Sequence, residues 1–291
     1  MNRREVIIGV AACGLFGESP SIGRCAEAKA PSAAMPPSVG WPEISNTGVP
    51  SDVKLARSKA VNIDRDGAVI DSLDIDGMVN VNASNVTLKR CRIRAASFWV
   101  VKIKKGATGV TVEDCEIDGV GSNNDGSNGI LGSGVFKRNN IYNVENGVTL
   151  DGGAPSVIMD NYIHDLLASG SPHYDCIQID GGVSDVIIRH NTAINEYIQT
   201  SAVMIDNYFG PISDILVENN LLIGGAFTIY VDGQFNANPI SNVRIINNHM
   251  GSGHWGVNAF NKTAPVFEGN VNDGLLQLKS VRRTAGASDV K

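Results

Sequence analysis

A chain of 291 residues with 43% apolar and 19% charged residues can bury a large core, and 32 glycines beside 6% aromatics point to short strands and turns. Long helices are not expected. A formal net charge of −6 argues against a nucleic-acid binder, because affinity for phosphate rests on clustered Lys and Arg.

Residues 1–30 read as an export signal. Arg3 and Arg4 precede an apolar stretch over 6–16, and small residues in A-x-A spacing follow at Ala26-Glu27-Ala28 and Ala28-Lys29-Ala30. Cleavage is expected near 28 or 30, giving a periplasmic or extracellular protein. The paired arginines fit a twin-arginine signal or an ordinary positive leader, and Val10-Ala11-Ala12-Cys13 also has the form of a lipoprotein box. Removal of 1–30 takes away Arg3, Arg4, Arg24 and Lys29 against Glu5, Glu18 and Glu27, so the charge moves from −6 to −7. No other segment approaches the roughly 18–20 apolar residues of a membrane span.

Residues 31–51, with five prolines, read as an extended lead-in, and from 52 onward the chain repeats. The clearest repeat is a strand ending in a polar bend: Val86 to Ile93, Val110 to Ile117, Val157 to Ile163, Val186 to Asn191, Ile215 to Leu222 and Val243 to Met250. Aligning these puts Cys91, Cys115, Asn139, Asn161, Asn191, Asn220, Asn248 and Asn270 in one column, at intervals of 24, 24, 22, 30, 29, 28 and 22. A period of that size is one coil of a solenoid. Equivalent strands so far apart favour parallel stacking, about 4.8 Å per coil. An asparagine at the same bend of each coil then passes amide hydrogen bonds up the stack. Cys91 and Cys115 head that column as stacked thiols or as an inter-coil disulfide. Neither C-x-x-C nor a zinc spacing occurs among the five cysteines.

On the coil pattern and the Asn column, residues 52–275 resemble the pectate-lyase-like superfamily, including bacterial right-handed β-helix repeat proteins. The resemblance implies an all-β, single-stranded right-handed parallel β-helix, with 276–291 a cap or tail. It also implies a polysaccharide substrate and a monomeric, carbohydrate-active enzyme, although the fold alone decides no reaction. Neither the arginine motif of pectate lyases nor an Asp-Pro-His-Asp segment like that of mannuronan epimerases is present.

The first strands of the coils end in a second column: Lys104, Asp151, Asp180, Asp206 and Asp232. Two residues earlier stand Lys102, Thr149, Gln178, Met204, Tyr230 and Asn258. Each Asp is also an ordinary turn residue before its loop. Stacked carboxylates repel, so a cation, calcium on Asp180, Asp206 and Asp232, or raised pKa values are expected. The longest inter-coil loop delivers His173, Tyr174 and Asp175 beside Gln178 and Asp180. β-Elimination at a uronate would use His173 as base, Tyr174 as acid, and Gln178, Lys104 or a cation to neutralise the carboxylate. Hydrolysis would use Asp151 with Asp180, or Asp180 with Asp206. Lys102, Arg189 and Tyr230 are added as substrate contacts. A non-catalytic carbohydrate-binding solenoid is the third reading.

Overall fold

The computed structural model describes residues 40–121 and 126–272; the export segment, Cys13, Cys25 and the tail from 273 lie outside the described residues. Every regular element among them is a strand, 26 in all, and all strand pairings are parallel. Each coil supplies three short strands. One coil runs Asn146–Leu150, Ser156–Met159, Tyr162–Ile163, and the next runs Asp175–Ile179, Val183–Arg189, Thr192–Asn195. Second strands stack into a nine-stranded sheet, while first and third strands share one of seventeen. The parallel β-helix expected from the repeat is therefore present.

Strand alternation sends Val148, Leu150, Ile158, Ile163, Ile177, Ile179 and Ile188 inward, each at most 1% exposed. β-Branched side chains fit this pleated interior, and coil-by-coil stacking merges the half-cores of single coils into one continuous column. Between second and third strands the chain turns through the left-handed region at Arg90, Asp114, Arg138, Asp160, His190, Asn219 and Asn247, with φ between 49° and 58°. The next residue is the column residue, Cys91 and Cys115 in the first two coils and asparagine in the rest.

That column is a hydrogen-bonded ladder. Asn191 Oδ1 accepts the Asn161 N–H at 3.0 Å and Asn161 Nδ2 at 2.9 Å. Asn191 Nδ2 donates to the carbonyls of Ile158 at 2.8 Å and Arg189 at 3.0 Å, and to Asn220 Oδ1 at 2.9 Å. The same set recurs from Asn139 to Asn248 and ends on Asn270. Cys91 and Cys115 occupy the head of the column as free buried thiols, so of the two readings left open the structure holds the unbridged one.

The described part of the lead-in, residues 40–51, is turned at 44–49 where an extended run was expected; residues 31–39 lie outside the described residues. Asn46 N donates to the Glu43 carbonyl at 3.1 Å, and Thr47 Oγ1 to the same oxygen at 2.8 Å. It crosses several coils: the Trp41 ring stacks on His190 at 5.5 Å and meets His249 edge-on at 5.4 Å, while Gly48 N donates to the Arg138 carbonyl at 2.8 Å.

Candidate functional site

The first-strand face is fixed by register. Asn80, Lys102, Leu131, Thr149, Gln178, Met204, Tyr230 and Ala259 follow one another along its outer row. Two placements differ from the sequence alignment. Leu131 separates Lys102 from Thr149, and Asn258 pairs with Ile229, so Ala259 follows Tyr230. The last coil has no aspartate closing its first strand, which removed the anchor for that alignment; Asn261 stands there against Asp232. Strand entry onto this face requires glycine at 147, where a Cβ would lie 2.5 Å from the Cys176 carbonyl oxygen.

The aspartate column is real. Asp206 and Asp232 are paired residues of adjacent strands, and Asp180 and Asp151 each follow the registered pair Ile179 and Leu150. Asp180, Asp206 and Asp232 are 8%, 7% and 5% exposed, so carboxylates on an outer face are nonetheless withdrawn from water. The loops beyond them close over: Phe209 N donates to the Asp180 carbonyl at 2.7 Å, and Asn236 Nδ2 to the Tyr208 carbonyl at 2.9 Å. The aspartates also cap these turns. Asp206 Oδ1 accepts Tyr208 N at 2.9 Å and Asp232 Oδ1 accepts Gln234 N at 3.0 Å, so the turn role and the stacked column coexist.

Their chemistry follows from burial and like charge. Burial first, and then the neighbouring Asp180 charge, push Asp206 up to about 8. Both effects disfavour the charged form, so Asp206 favours its protonated form near neutral pH. Asp232 instead accepts the amides of Gln234 at 2.9 Å and Asn261 at 2.8 Å. Asp151 is raised by burial and drawn back by Lys105 and Lys102, and its buried Oδ1 has no hydrogen-bond partner. Lys105, unremarked in the sequence, is the first of those two cations. Lys104, counted along the register, stands two coils before Asp151 and is exposed. Lys102 lies 4.0 Å over the Trp99 ring.

The opposite margin of the face begins at Asp175, 1% exposed, whose Oδ1 accepts Ser201 Oγ at 2.8 Å and Ser201 N at 3.1 Å. Burial drives its carboxyl well upward, with Asp180 and Asp206 adding repulsion. Tyr230 is pushed up to about 12 mainly by burial, with the Asp175 and Asp232 charges adding to it. Gln178 bridges along the row, its Oε1 accepting Thr149 Oγ1 at 3.3 Å.

Of three further residues singled out in the sequence, Tyr174 and Arg189 are engaged away from the face. Tyr174 is 2% exposed, stacks on Tyr197 at 3.6 Å, and its hydroxyl donates to the Ala168 carbonyl at 3.2 Å, so it packs the loop. His173 is half-buried, held through its backbone N–H by buried Glu145 at 2.9 Å. Arg189 lies on the second sheet, ion-paired to Glu218, and does not reach the first-strand face. Among the described residues no group of three or more His, Cys, Asp or Glu is disposed to hold a metal ion. Asp206 and Asp232 accept backbone or side-chain amides, and burial favours the neutral form of Asp206. A cavity of about 570 Å³ between the last coils, lined by Val231, Ile240, Val243, Lys262 and Pro265, contains no carboxylate.

No family model, curated protein or solved structure matches this chain.

Proposed function

We propose that this chain is a carbohydrate-active enzyme of the pectate-lyase-like β-helix type that hydrolyses a polysaccharide laid along the first-strand face. The observation that carries the reading is the stacking of Asp180 and Asp206 on adjacent coils, both withdrawn from water, where burial and like charge favour the protonated form of Asp206. Glycoside hydrolysis needs a proton donor for the leaving oxygen and a carboxylate to activate water. Asp206, raised to about 8, supplies the donor. Asp151, raised by burial and drawn part of the way back by Lys105 and Lys102, supplies the base. It stands two coils from Asp206, about 9.6 Å at 4.8 Å per coil, near the upper end of the inverting range. Tyr230, Gln178 and Asp175 would line the path of the sugar chain, and exposed Tyr208 and Phe209 offer apolar faces to its rings. Elimination fits less well, because the Tyr174 hydroxyl is engaged by Ala168 and Lys104 lies two coils away. Export through residues 1–30 belongs to the same proposal and is checked by cell fractionation.

A panel of neutral and uronate polysaccharides tests it. The expected product has new reducing ends of inverted anomeric configuration and no ultraviolet absorbance from an unsaturated uronate. Asp206→Asn and Asp151→Asn should each lower kcat by roughly 10²–10⁴. Wild-type activity should fall as pH rises through about 8, where Asp206 loses its proton. An unsaturated product would establish elimination instead, and binding without turnover across the panel would leave a binding solenoid.

A further inference from the structure

We propose that Cys91 and Cys115 form an oxidisable pair, the site of an inter-coil disulfide made by thiol–disulfide exchange with a small disulfide such as oxidised glutathione. The register that pairs Arg92 with Glu116 puts the two cysteines at the same bend of adjacent coils, and Glu116 N donates to the Cys91 carbonyl at 3.0 Å. Neighbouring parallel strands lie about 4.8 Å apart, inside the 4.4–6.8 Å Cα separation a disulfide accepts. Both thiols are fully buried at this bend and unbridged.

Their sulfurs reproduce the ladder's bonds in longer form. Cys91 Sγ accepts Leu73 N at 3.5 Å, as an asparagine oxygen accepts the N–H of the coil before. Cys115 Sγ donates to the Glu113 carbonyl at 3.2 Å and the Leu88 carbonyl at 3.8 Å, as an asparagine nitrogen does. Cys91 Sγ also donates to the Lys89 carbonyl at 3.1 Å and the Ile70 carbonyl at 4.0 Å, and oxidation would cost these thiol donor bonds, whereas an asparagine at either place would carry the full ladder. Cys176, also buried and free, lies on a first strand and has no such neighbour in its column.

The exchange balances as two displacements. The Cys91 thiolate attacks one sulfur of oxidised glutathione and releases one glutathione thiolate. The Cys115 thiolate then attacks Cys91 Sγ and releases the second. Two protein thiols are oxidised, one disulfide is reduced to two glutathiones, and two protons leave the protein. Cys91 attacks first, because its thiol is held down by the neighbouring Cys115 while burial pushes Cys115 up.

The full chain is equilibrated in a glutathione redox buffer, both folded and during refolding from urea, then alkylated under denaturing conditions and mapped by mass spectrometry. Refolding removes burial as a barrier to access. Loss of alkylation at Cys91 and Cys115, with their peptides joined, and an upward shift of the urea midpoint relative to the reduced chain, is the expected result. Cys115→Asn, which places the ladder's own residue there and so preserves folding, should abolish the joined peptide and the shift. Refolded protein with Cys91 and Cys115 both alkylated, or either one joined to a different cysteine, overturns the assignment.

Discussion

Truncating one rung of the asparagine ladder measures what holds the coils in register. Asn191→Ala removes five hydrogen bonds at a residue that is 0% exposed. Some partners keep alternatives: the Arg189 carbonyl still accepts Asp160 N at 3.3 Å, and Asn161 Nδ2 still reaches the Phe136 carbonyl at 2.9 Å. The Asn161 N–H, however, is left facing a methyl group. An orphaned buried donor costs about 1–3 kcal/mol, and each weakened neighbour about 0.5–1.5 kcal/mol, so the expected loss is roughly 3–5 kcal/mol. Asn270→Ala, at the half-buried end of the ladder, should cost about 1–2 kcal/mol, because water can replace what the amide supplied. Equilibrium urea unfolding reads both. Equal losses at the two positions, or a loss below about 1 kcal/mol for Asn191→Ala, would mean that apolar stacking alone sets the register and that the ladder is passive.

Two further outcomes follow from the same geometry. Asp206 keeps its proton to about pH 8 when folded, against about 3.9 when unfolded. The folded chain therefore binds more protons between these values, and its contribution to stability is greatest at the acid end, falls as pH climbs from about 4 to about 8, and is level above. Urea midpoints across this range should show that decline in wild type and lose it in Asp206→Asn; the same slope in both would remove the buried proton. Gly147→Ala should destabilise the chain by about 1–3 kcal/mol, since the new methyl meets the Cys176 carbonyl oxygen and Ile163 Cγ2. An unchanged urea midpoint would show that the bend relaxes freely.

The columns were legible in the sequence because a solenoid converts spacing along the chain into contact. Strand alternation fixes parity, so Asn139 to Asn270 and Asp151 to Asp232 could be stacked from their letters alone. Lateral placement was not legible. His173 and Tyr174 lie beside Asp175 in sequence, yet the loop's path depends on Glu145, a buried carboxylate 28 residues earlier that accepts the His173 N–H. Tyr174 turns to Tyr197, a partner no repeat announces. Arg189 and Gln178 are close in sequence but fall on different sheets, because the corner at 180–182 lies between them. The partnership of Lys105 with Asp151 required knowing that the coil between them is short.

Stacking forces every column to confront its own charge, and this chain answers in two ways. Along the second sheet Asp71, Lys89, Glu113 and Lys137 alternate in sign, with Lys137 2.8 Å from Glu113. The left-handed corner repeats the device, Arg138 binding Asp114 at 2.7 Å and His190 meeting Asp160 at 2.6 Å. Half-exposed pairs of this kind add little stability, but they avoid repulsion. On the first-strand face four aspartates follow one another without a cation between them. Two full charges 4.8 Å apart repel by about 3 kcal/mol at an effective dielectric of 20, and Asn261, on the last coil of this same column, shows that a neutral amide fits the position. A structural requirement for a turn cap would be met as well by asparagine at 180 and 206. Acids at these positions, at a cost the alternating columns avoid, are what the proposed proton-donating site would require.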